Sequence, residues 1–205
     1  MAVGDSWTHQ LARPLVRPLI GTGVTPNHLT TLRLIVGLAS AAALLPGTAH
    51  WNLWAGWLWL ISAFLDRADG ELARLGNMST PGGHLWDTIV DISVNSVFFV
   101  AIGVGQRHSM LQGLAIPLGL VAGGSLFTAS IWAIALEKRI EQGKKAYSGI
   151  WGFDFDDMLY LMAPLCWLDW LAPILVGAAI GAFSMAALTG FRLRRLVLQQ
   201  RGATA

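Results

Sequence analysis

Residues 66–91 read DRADGELARLGNMSTPGGHLWDTIVD and place four aspartates between two long apolar segments. Asp66 and Asp69 stand three residues apart at the end of the first segment, so a helix presents them on one face. Asp87 and Asp91 stand four residues apart at the start of the second segment and also share a helix face. The residues between the two pairs are rich in Gly, Pro, Asn and Ser, which predicts a turn between antiparallel helices. The four carboxylates are therefore expected to converge.

On both sides of this stretch, the chain consists mainly of apolar segments long enough to cross a bilayer, which takes about 20 residues of helix. We identify six segments, of which the fifth is shorter and is interrupted by acids and a proline: 29–49, 51–72, 85–105, 110–136, 155–168 and 171–191. We therefore predict an all-α integral membrane protein with six transmembrane helices. Its expected parts are an interfacial N-terminal segment at 1–27, a membrane domain at 28–192 and a cytoplasmic tail at 193–205.

The composition of the 205-residue chain excludes several other classes of protein. Hydrophobic residues make up 54% and charged residues 13%, and the mean hydropathy is +0.54. These values argue against a disordered protein, a disulfide-rich secreted module and an ordinary soluble enzyme. The net charge of +2 and the scattered basic residues argue against a nucleic-acid partner. The single cysteine, Cys166, lies in an apolar run and is predicted to be a packing residue.

The basic residues support the count of six spans. If six spans alternate, 13 of the 14 Lys and Arg residues fall on one side of the membrane and only Arg107 falls on the other. Lys and Arg are retained on the cytoplasmic side during insertion. We therefore expect a multi-pass protein of the cell (inner) membrane with both termini and the four aspartates on the cytoplasmic side. No removable signal peptide is expected, because residues 1–27 contain neither a long apolar stretch nor a cleavage signature.

The segment before the first span mixes apolar side chains with Arg13 and Arg17, which is typical of a segment lying on anionic membrane lipids. Pro14 and Pro18 argue against a long continuous helix, so an irregular cytoplasmic arm stays an open alternative.

Two pairs of small residues predict close approach between helices: Gly119 with Gly123, and Gly177 with Gly181. Such a contact lies either within one chain or between two chains, and the sequence does not distinguish these cases.

Four convergent carboxylates repel one another and could not all ionise at neutral pH without a cation. Oxygen ligands with no His or Cys among them suit Mg²⁺, Mn²⁺ or Ca²⁺ rather than zinc. A carboxylate-bound Mg²⁺ keeps open positions that substrate phosphates fill. The alternative is a set of neutral acids, or acids paired with Arg67 and Arg74, that serve only to pack the helices.

The residues that follow Asp69 predict a binding slot. Gly70 and Ala73 line one side of the helix with small residues, which lets a ligand approach the backbone. Arg74 stands next to this slot and offers a bidentate fork to a phosphate.

At these residues the chain resembles the CDP-alcohol phosphotransferase family, whose signature is D-x2-D-G-x2-A-R-x8-G-x3-D-x3-D. All eight specified positions are present, from Asp66 to Asp91 with Gly83 between the two pairs of acids. The chain is also similar to the family in a Pro-Asn-x-Leu-Thr segment, here residues 26–30, at the start of the first span. The likeness is strong over the first half of the chain and limited to topology over the second.

The resemblance implies a role for each residue that matches the motif. Asp66, Asp69 and Asp87 would hold a pair of divalent ions, Mg²⁺ or Mn²⁺. Asp91 would be shared between metal and catalysis, as the general base for the acceptor hydroxyl. The CDP portion of the donor would be held by Asn27, Gly70, Ala73, Arg74 and Thr80.

The resemblance further implies transfer of a substituted phosphate group from a CDP-linked lipid donor to a hydroxyl acceptor, with release of CMP. The expected donor is CDP-diacylglycerol, although other CDP-alcohols stay open. The acceptor is a small hydroxyl compound or a phosphorylated polyol. A homodimer is expected by analogy with the family.

Basic clusters follow the fourth and sixth predicted spans, and positive-inside topology alone explains them. The functional alternative is a pocket for a phosphate or carboxylate on the acceptor. The candidates for this pocket are Lys138, Arg139, Arg192 and Arg195. Three acids at the start of the fifth span are expected to pair with these bases rather than to form a second metal site: Asp154, Asp156 and Asp157.

Two functions of other classes also use acids within a membrane. An intramembrane prenyltransferase has two Asp-rich motifs, but it needs more helices and a different spacing. A divalent-cation channel or carrier needs acids along a path across the membrane, whereas these four lie near one side.

Overall fold

The computed structural model describes residues 7–139 and 159–202, and every regular element in these ranges is helical. The α-helices of these ranges are α1 Trp7–Val16, α2 Pro26–Leu44, α3 Ala49–Leu75, α4 Pro81–Gly105, α5 Ala115–Glu137, α6 Met162–Trp167 and α7 Leu171–Gly202. Short 3₁₀ turns lie at Arg17–Leu19, Gln106–His108 and Gln112–Leu114. The predicted all-α class is confirmed.

Helix α1 packs against α3 through one face and exposes another. Ala12 and Val16 are buried, and Val16 forms a small apolar cluster with Ala68 and Leu72 of α3. The opposite face leaves Leu11 and other apolar side chains exposed. The segment before α2 is thus helical for ten residues, with Pro14 inside the helix, and is not an irregular arm throughout.

Helix α2 begins at Pro26, where a proline loses no helical hydrogen bond. The N–H of Thr25 donates to Nδ1 of His28 at 3.2 Å, which satisfies one of the polar groups at the helix start. This start places Thr30 and Arg33 one turn apart, and both side chains reach acids of the neighbouring helices.

Helices α3 and α4 are joined by the short turn 76–80, as the sequence predicts. Asn77 adopts the left-handed conformation, with φ of +51°, which Asn tolerates better than most residues. The N–H of Met78 donates to the Ala73 carbonyl at 2.9 Å, so the turn closes directly on the end of α3.

The start of α4 differs from the predicted span at 85–105, because the helix begins four residues earlier, at Pro81. The hydroxyl oxygen of Thr80 accepts a 3.0 Å hydrogen bond from the N–H of Gly83 and caps the helix. Thr80 caps the helix and Pro81 begins it, so α4 includes Gly82 and Gly83, which the sequence pattern assigned to the turn.

The remaining helices complete the bundle around one apolar core. Helix α4 packs against α2 and α5, α5 packs against α7, and α6 packs against α3. A Cβ on Gly103 of α4 would lie 2.8 Å from Cα of Gly119, so this crossing requires glycine. A Cβ on Gly123 would collide with the Ser96 carbonyl of α4. The first of the two predicted glycine pairs therefore packs within the chain.

The last two predicted spans differ from the helices that form. Of the fifth prediction, 155–168, residues 155–158 lie outside the described residues, and the described part forms a 3₁₀ turn at 159–161 and the six-residue helix α6. The sixth predicted span, 171–191, lies within α7, which continues to Gly202 and so into the predicted tail.

Three helical segments of the described ranges are long and apolar enough to cross a membrane: Pro81–His108, Gln112–Glu137 and Leu171–Gln200. Large apolar side chains such as Ile180 and Phe183 point outward from α7. An all-helical bundle with these features has the architecture of an integral membrane protein. The predicted count of six spans goes beyond these three and stays a prediction.

Candidate active site

Three of the four signature aspartates form a compact cluster where α3 ends and α4 begins. Asp66, Asp69 and Asp87 each offer a carboxylate oxygen, and these oxygens all lie within 4.8 Å of one another. Asp69 is buried, whereas Asp66 and Asp87 are partly exposed. The antiparallel helices thus bring these three acids together, as their spacing predicts. A group of this kind can hold a divalent cation through oxygen ligands alone.

Asp91 lies one helical turn further along α4, and two donors hold one of its oxygens. Nη2 of Arg33 donates to Oδ1 of Asp91 at 2.7 Å, and Nδ2 of Asn95 donates to the same oxygen at 2.8 Å. The Asp91 side chain is 46% exposed, so the carboxylate is fixed on one side and open on the other.

Arg33 is the main component of the site that sequence reasoning missed. Its Nη1 lies 2.6 Å from Oδ1 of Asp66 and 3.4 Å from Oδ1 of Asp87. Its side chain is only 4% exposed, so the guanidinium is a buried cation among the acids. The signal that could have identified it is a single arginine inside the apolar segment 29–49, which was used only as a marker of topology.

Thr30 is a second residue whose role the sequence did not reveal. Its hydroxyl lies 2.6 Å from Oδ2 of Asp69 and donates to that oxygen. Thr30 and Asp69 are both buried, so this bond connects α2 to the least exposed acid of the cluster. Thr30 lies in the Pro-Asn-x-Leu-Thr segment, which was used only as a sign of resemblance.

A cavity of about 250 Å³ opens beside the cluster. It is lined by the five predicted donor-binding residues, two of the aspartates and several neighbours: Pro26, Asn27, Thr30, Asp69, Gly70, Ala73, Arg74, Met78, Ser79, Thr80, Gly83, His84 and Asp87. The structure therefore places Asn27, Gly70, Ala73, Arg74 and Thr80 around one space. Asp66 and Asp91 are not among the residues that line it.

Two signature glycines shape this cavity in different ways. A Cβ on Gly70 would meet only Nη2 of Arg74, at 3.7 Å, so a side chain there would project into open space. A Cβ on Gly83 would lie 3.0 Å from both the Asn27 side-chain oxygen and the Thr80 hydroxyl. Gly83 thus lets α2 and the start of α4 approach closely. Gly70 has no side chain to occupy the cavity, so the space beside it stays open.

Arg74 is held by a buried acid that the signature does not specify. Nη2 of Arg74 lies 2.6 Å from Oε1 of Glu71, and Nε of Arg13 lies 3.0 Å from Oε2 of the same carboxylate. The Glu71 side chain is 1% exposed, whereas that of Arg74 is 55% exposed. Arg74 therefore has a fixed anchor and an accessible guanidinium at the cavity.

The predicted acceptor residues lie apart from this cavity. Lys138 and Arg139 follow the end of α5, and Arg192 and Arg195 lie on α7; all four are exposed. Helices α5 and α7 pack against each other. The acids expected to pair with these bases, Asp154, Asp156 and Asp157, lie outside the described residues.

Comparison with solved structures supports the fold. The chain superposes on a crystal structure of Mycobacterium tuberculosis phosphatidylinositol phosphate synthase (PgsA1) with CDP-DAG bound, with a TM-score of 0.62. The superposition covers 92% of each chain at 16% sequence identity. At that identity the likeness is one of fold.

Two curated proteins with similar sequences come from a bacterium and an archaeon. The chain is 28% identical to inner membrane protein YnjF of Escherichia coli K12 over 148 residues, which span 70% of this chain and 66% of that protein. It is 39% identical to archaetidylinositol phosphate synthase of Pyrococcus horikoshii over 100 residues, or 46% of this chain and 51% of the relative. The matches thus cover less than two thirds of the length of either relative.

A sequence model of one family, described as CDP-alcohol phosphatidyltransferase, matches residues 23–189, which is most of the chain. The matched range contains the three clustered aspartates, Asp91 and every residue that lines the cavity. This match confirms the resemblance predicted from the signature. The chain therefore belongs to the CDP-alcohol phosphatidyltransferase family, a family of membrane phosphotransferases.

Proposed function

We propose that this protein transfers a substituted phosphate group from a CDP-linked lipid, CDP-diacylglycerol, to the hydroxyl of an acceptor and releases CMP. The observation that carries the proposal is the cavity that joins Asp69 and Asp87 to Arg74. One space thus offers a carboxylate cluster for a cation and a guanidinium for a phosphate. The CDP-DAG bound to the structural neighbour supports the choice of donor.

The metal part of the proposal rests on the donor atoms of the cluster. Asp66, Asp69 and Asp87 would hold Mg²⁺ or Mn²⁺, because their clustered oxygens suit a hard cation. When bound, the metal would neutralise charge on the diphosphate and on the departing CMP. The hydrogen bond from Thr30 would orient Asp69 for this role.

The donor would lie in the cavity with its diphosphate towards Arg74. Arg74 is suited to this role because Glu71 anchors the side chain while more than half of it stays exposed. Gly70 and Ala73 would leave room for the nucleotide, and Asn27 and Thr80 would offer polar atoms from the other wall.

Asp91 would act as the general base. Its Oδ1 is held by Arg33 and Asn95, and its exposed side would take the proton of the acceptor hydroxyl. The acceptor oxygen would then form a bond to the phosphorus that carries the lipid alcohol. The bond from that phosphorus to the bridging oxygen would break, and CMP would leave with that oxygen.

The acceptor in this proposal is a small hydroxyl compound or a phosphorylated polyol. Lys138, Arg139, Arg192 and Arg195 would bind its anionic group if it carries one, because they add positive charge on two helices that pack together. These four residues do not line the described cavity, so this part of the proposal rests on their charge alone.

For the whole molecule we propose six transmembrane spans in the cell (inner) membrane, with both termini and the active site on the cytoplasmic side. The distribution of basic residues supports this topology. We also propose a homodimer, in which Gly177 and Gly181 of α7 contact a second copy. Apart from the adjoining residues and backbone of α7 itself, no described atom lies within 4 Å of a Cβ built on either glycine, so this small-residue face is open among the described residues.

A CMP-release assay tests the proposal directly. The purified chain would be incubated in neutral detergent with CDP-diacylglycerol, Mg²⁺ and, in turn, inositol phosphate, glycerol phosphate or serine. We expect CMP release with at least one acceptor, its loss in EDTA and its return with Mg²⁺ or Mn²⁺. An Asp87→Asn variant is the control for contaminating activity. Full CMP release in EDTA would remove the metal from the mechanism.

The same assay separates the functions of other classes. A cation channel or carrier would release no CMP from any CDP-linked donor, and an intramembrane prenyltransferase would consume a prenyl diphosphate instead. Family membership favours neither alternative.

A further inference from the structure

The buried guanidinium of Arg33 contacts three of the four signature aspartates: Asp66, Asp87 and Asp91. We propose that Arg33 is a fixed cation that takes the place of a second divalent ion, so that the active site binds one metal ion per chain. This inference rests on the proposed function, because it concerns the metal that Asp66, Asp69 and Asp87 would hold. It differs from the pair of ions that the family resemblance implied.

The positions of the guanidinium nitrogens carry the proposal. Nη1 lies 2.6 Å from Oδ1 of Asp66, and Nη2 lies 2.7 Å from Oδ1 of Asp91. A Mg²⁺ ion that bridged these acids would need oxygens at about 2.0–2.1 Å. The positive charge of Arg33 would repel such an ion, because its two nitrogens already lie against one oxygen of each acid. The space between Asp66 and Asp91 already contains a cation.

The first ion differs because one of its three acids, Asp69, does not contact Arg33 among the described ion pairs. Each carboxylate has two oxygens and about four lone-pair directions. Asp66 and Asp87 can therefore contact Arg33 with one oxygen and a metal ion with the other. Asp69 is not within ion-pair distance of Arg33 among the described contacts, and its Oδ2 accepts from Thr30 instead. The geometry thus divides the acids into a metal side, centred on Asp69, and an arginine side, centred on Asp91.

Arg33 is also held in place by its surroundings. Its side chain is 4% exposed, and an arginine remains charged even when buried. Moving it away from the acids would leave a buried charge without a partner, which is strongly unfavourable. Its carbonyl accepts a hydrogen bond from the Ser62 hydroxyl at 3.2 Å, which fixes the backbone of α2 against α3.

A consequence concerns Asp91, which on this proposal does not bind metal. Arg33 and Asn95 both donate to its Oδ1 and hold the carboxylate in one orientation. Its other oxygen is then free of a metal and can accept the proton of the acceptor hydroxyl. Arg33 is thereby a positioning residue for Asp91, as well as a counter-charge for the cluster.

The test is to count bound Mn²⁺, without any substrate. The full-length protein in a neutral detergent would be dialysed against Mn²⁺, and bound metal would be measured by elemental analysis and by electron paramagnetic resonance. We expect one ion per chain in the wild type and one in Asp91→Asn. We expect two in Arg33→Gln, because the space between Asp66 and Asp91 becomes available. Arg17→Gln, which removes an exposed arginine outside the site, is the matched control and should bind one ion.

Several results would overturn the inference. Two ions in the wild type, reduced to one by Asp91→Asn, would assign Asp91 to a second metal. Their signals would then show the coupling of a pair about 3.5–4 Å apart. One ion in a correctly folded Arg33→Gln would mean that Arg33 does not limit the count. If this variant does not fold, the wild type and Asp91→Asn still decide between one and two ions.

The same measurement separates this inference from the proposed function. Two ions per chain would end the inference but leave a metal-dependent transferase intact. The absence of any Mn²⁺ binding in the wild type, together with CMP release that resists EDTA, would instead contradict the metal part of the proposed function.

Discussion

The hydroxyl of Thr30 donates a 2.6 Å hydrogen bond to Oδ2 of Asp69, and this bond joins the start of α2 to the end of α3. It orients a buried carboxylate that has no arginine partner among the described ion pairs. Residues that hold a metal ligand in this way contribute to metal affinity without touching the metal.

Replacing Thr30 tests this contribution. In Thr30→Val the shape is kept and the hydroxyl is lost, so Asp69 can rotate away from the cluster. We expect Mn²⁺ affinity to fall by about 10–100-fold, with activity restored at high metal concentration. Thr30→Ser should retain most of the affinity. Thr128→Val on α5 removes a hydroxyl that donates to the Gly124 carbonyl, away from the site, and should leave metal binding unchanged.

Asp91→Asn tests the general base. The variant keeps the shape of the side chain and can still contact Arg33, but the amide cannot take a proton. We expect donor binding to persist while CMP release falls by about 10²–10⁴-fold. Arg74→Ala should show the opposite pattern, with weaker donor binding and a smaller change in the maximal rate. Near-normal turnover of Asp91→Asn would assign proton removal to another group.

Gly70→Ala separates stability from activity. The new Cβ would contact only the end of the Arg74 side chain, and alanine stabilises a helix interior by about 0.5–1 kcal/mol relative to glycine. We therefore expect a higher thermal midpoint together with a raised KM for the donor, since the methyl group projects into the cavity. Gly82→Ala, where a Cβ meets open space outside the cavity lining, is the control. An unchanged KM in Gly70→Ala would place the nucleotide elsewhere.

Reporter fusions test the predicted topology. Residue 49 is the last residue of the first predicted span, and residue 139 follows the fourth. A reporter fused after residue 49 should be on the outer side, and one fused after residue 139 should be on the cytoplasmic side. Finding both reporters on the same side would contradict the six-span arrangement.

The convergence of the acids was predictable from sequence because it depends on local geometry. Helical spacing fixes the shared face of each pair, and the turn residues force α3 and α4 to be antiparallel. The family resemblance then identified Asn27 and Thr80, which the structure places in the cavity lining. Spacing alone would not have predicted that Asn27 lines this cavity. Nearly all of α2 and most of α3 separate Asn27 from the aspartates in the sequence.

The contribution of Arg33 was not predictable in this way, because it depends on how α2 lies against α3 and α4. Periodicity shows which residues of a helix share a face, but not which neighbouring helix that face meets.

The early start of α4 was missed for a different reason. The glycines after Pro81 are typical of a turn, and the Thr80 cap that offsets them is visible only once the helix has formed.

The two arginines on Glu71 couple helix α1 to the cavity beside the aspartates. Arg13 belongs to α1 and Arg74 lies at the cavity, and each contacts a different oxygen of the one buried carboxylate. A shift of α1 would therefore change the balance between its two partners and alter how firmly Arg74 is held. Through this shared carboxylate, a movement of the N-terminal helix would change how freely the Arg74 guanidinium can meet a ligand in the cavity.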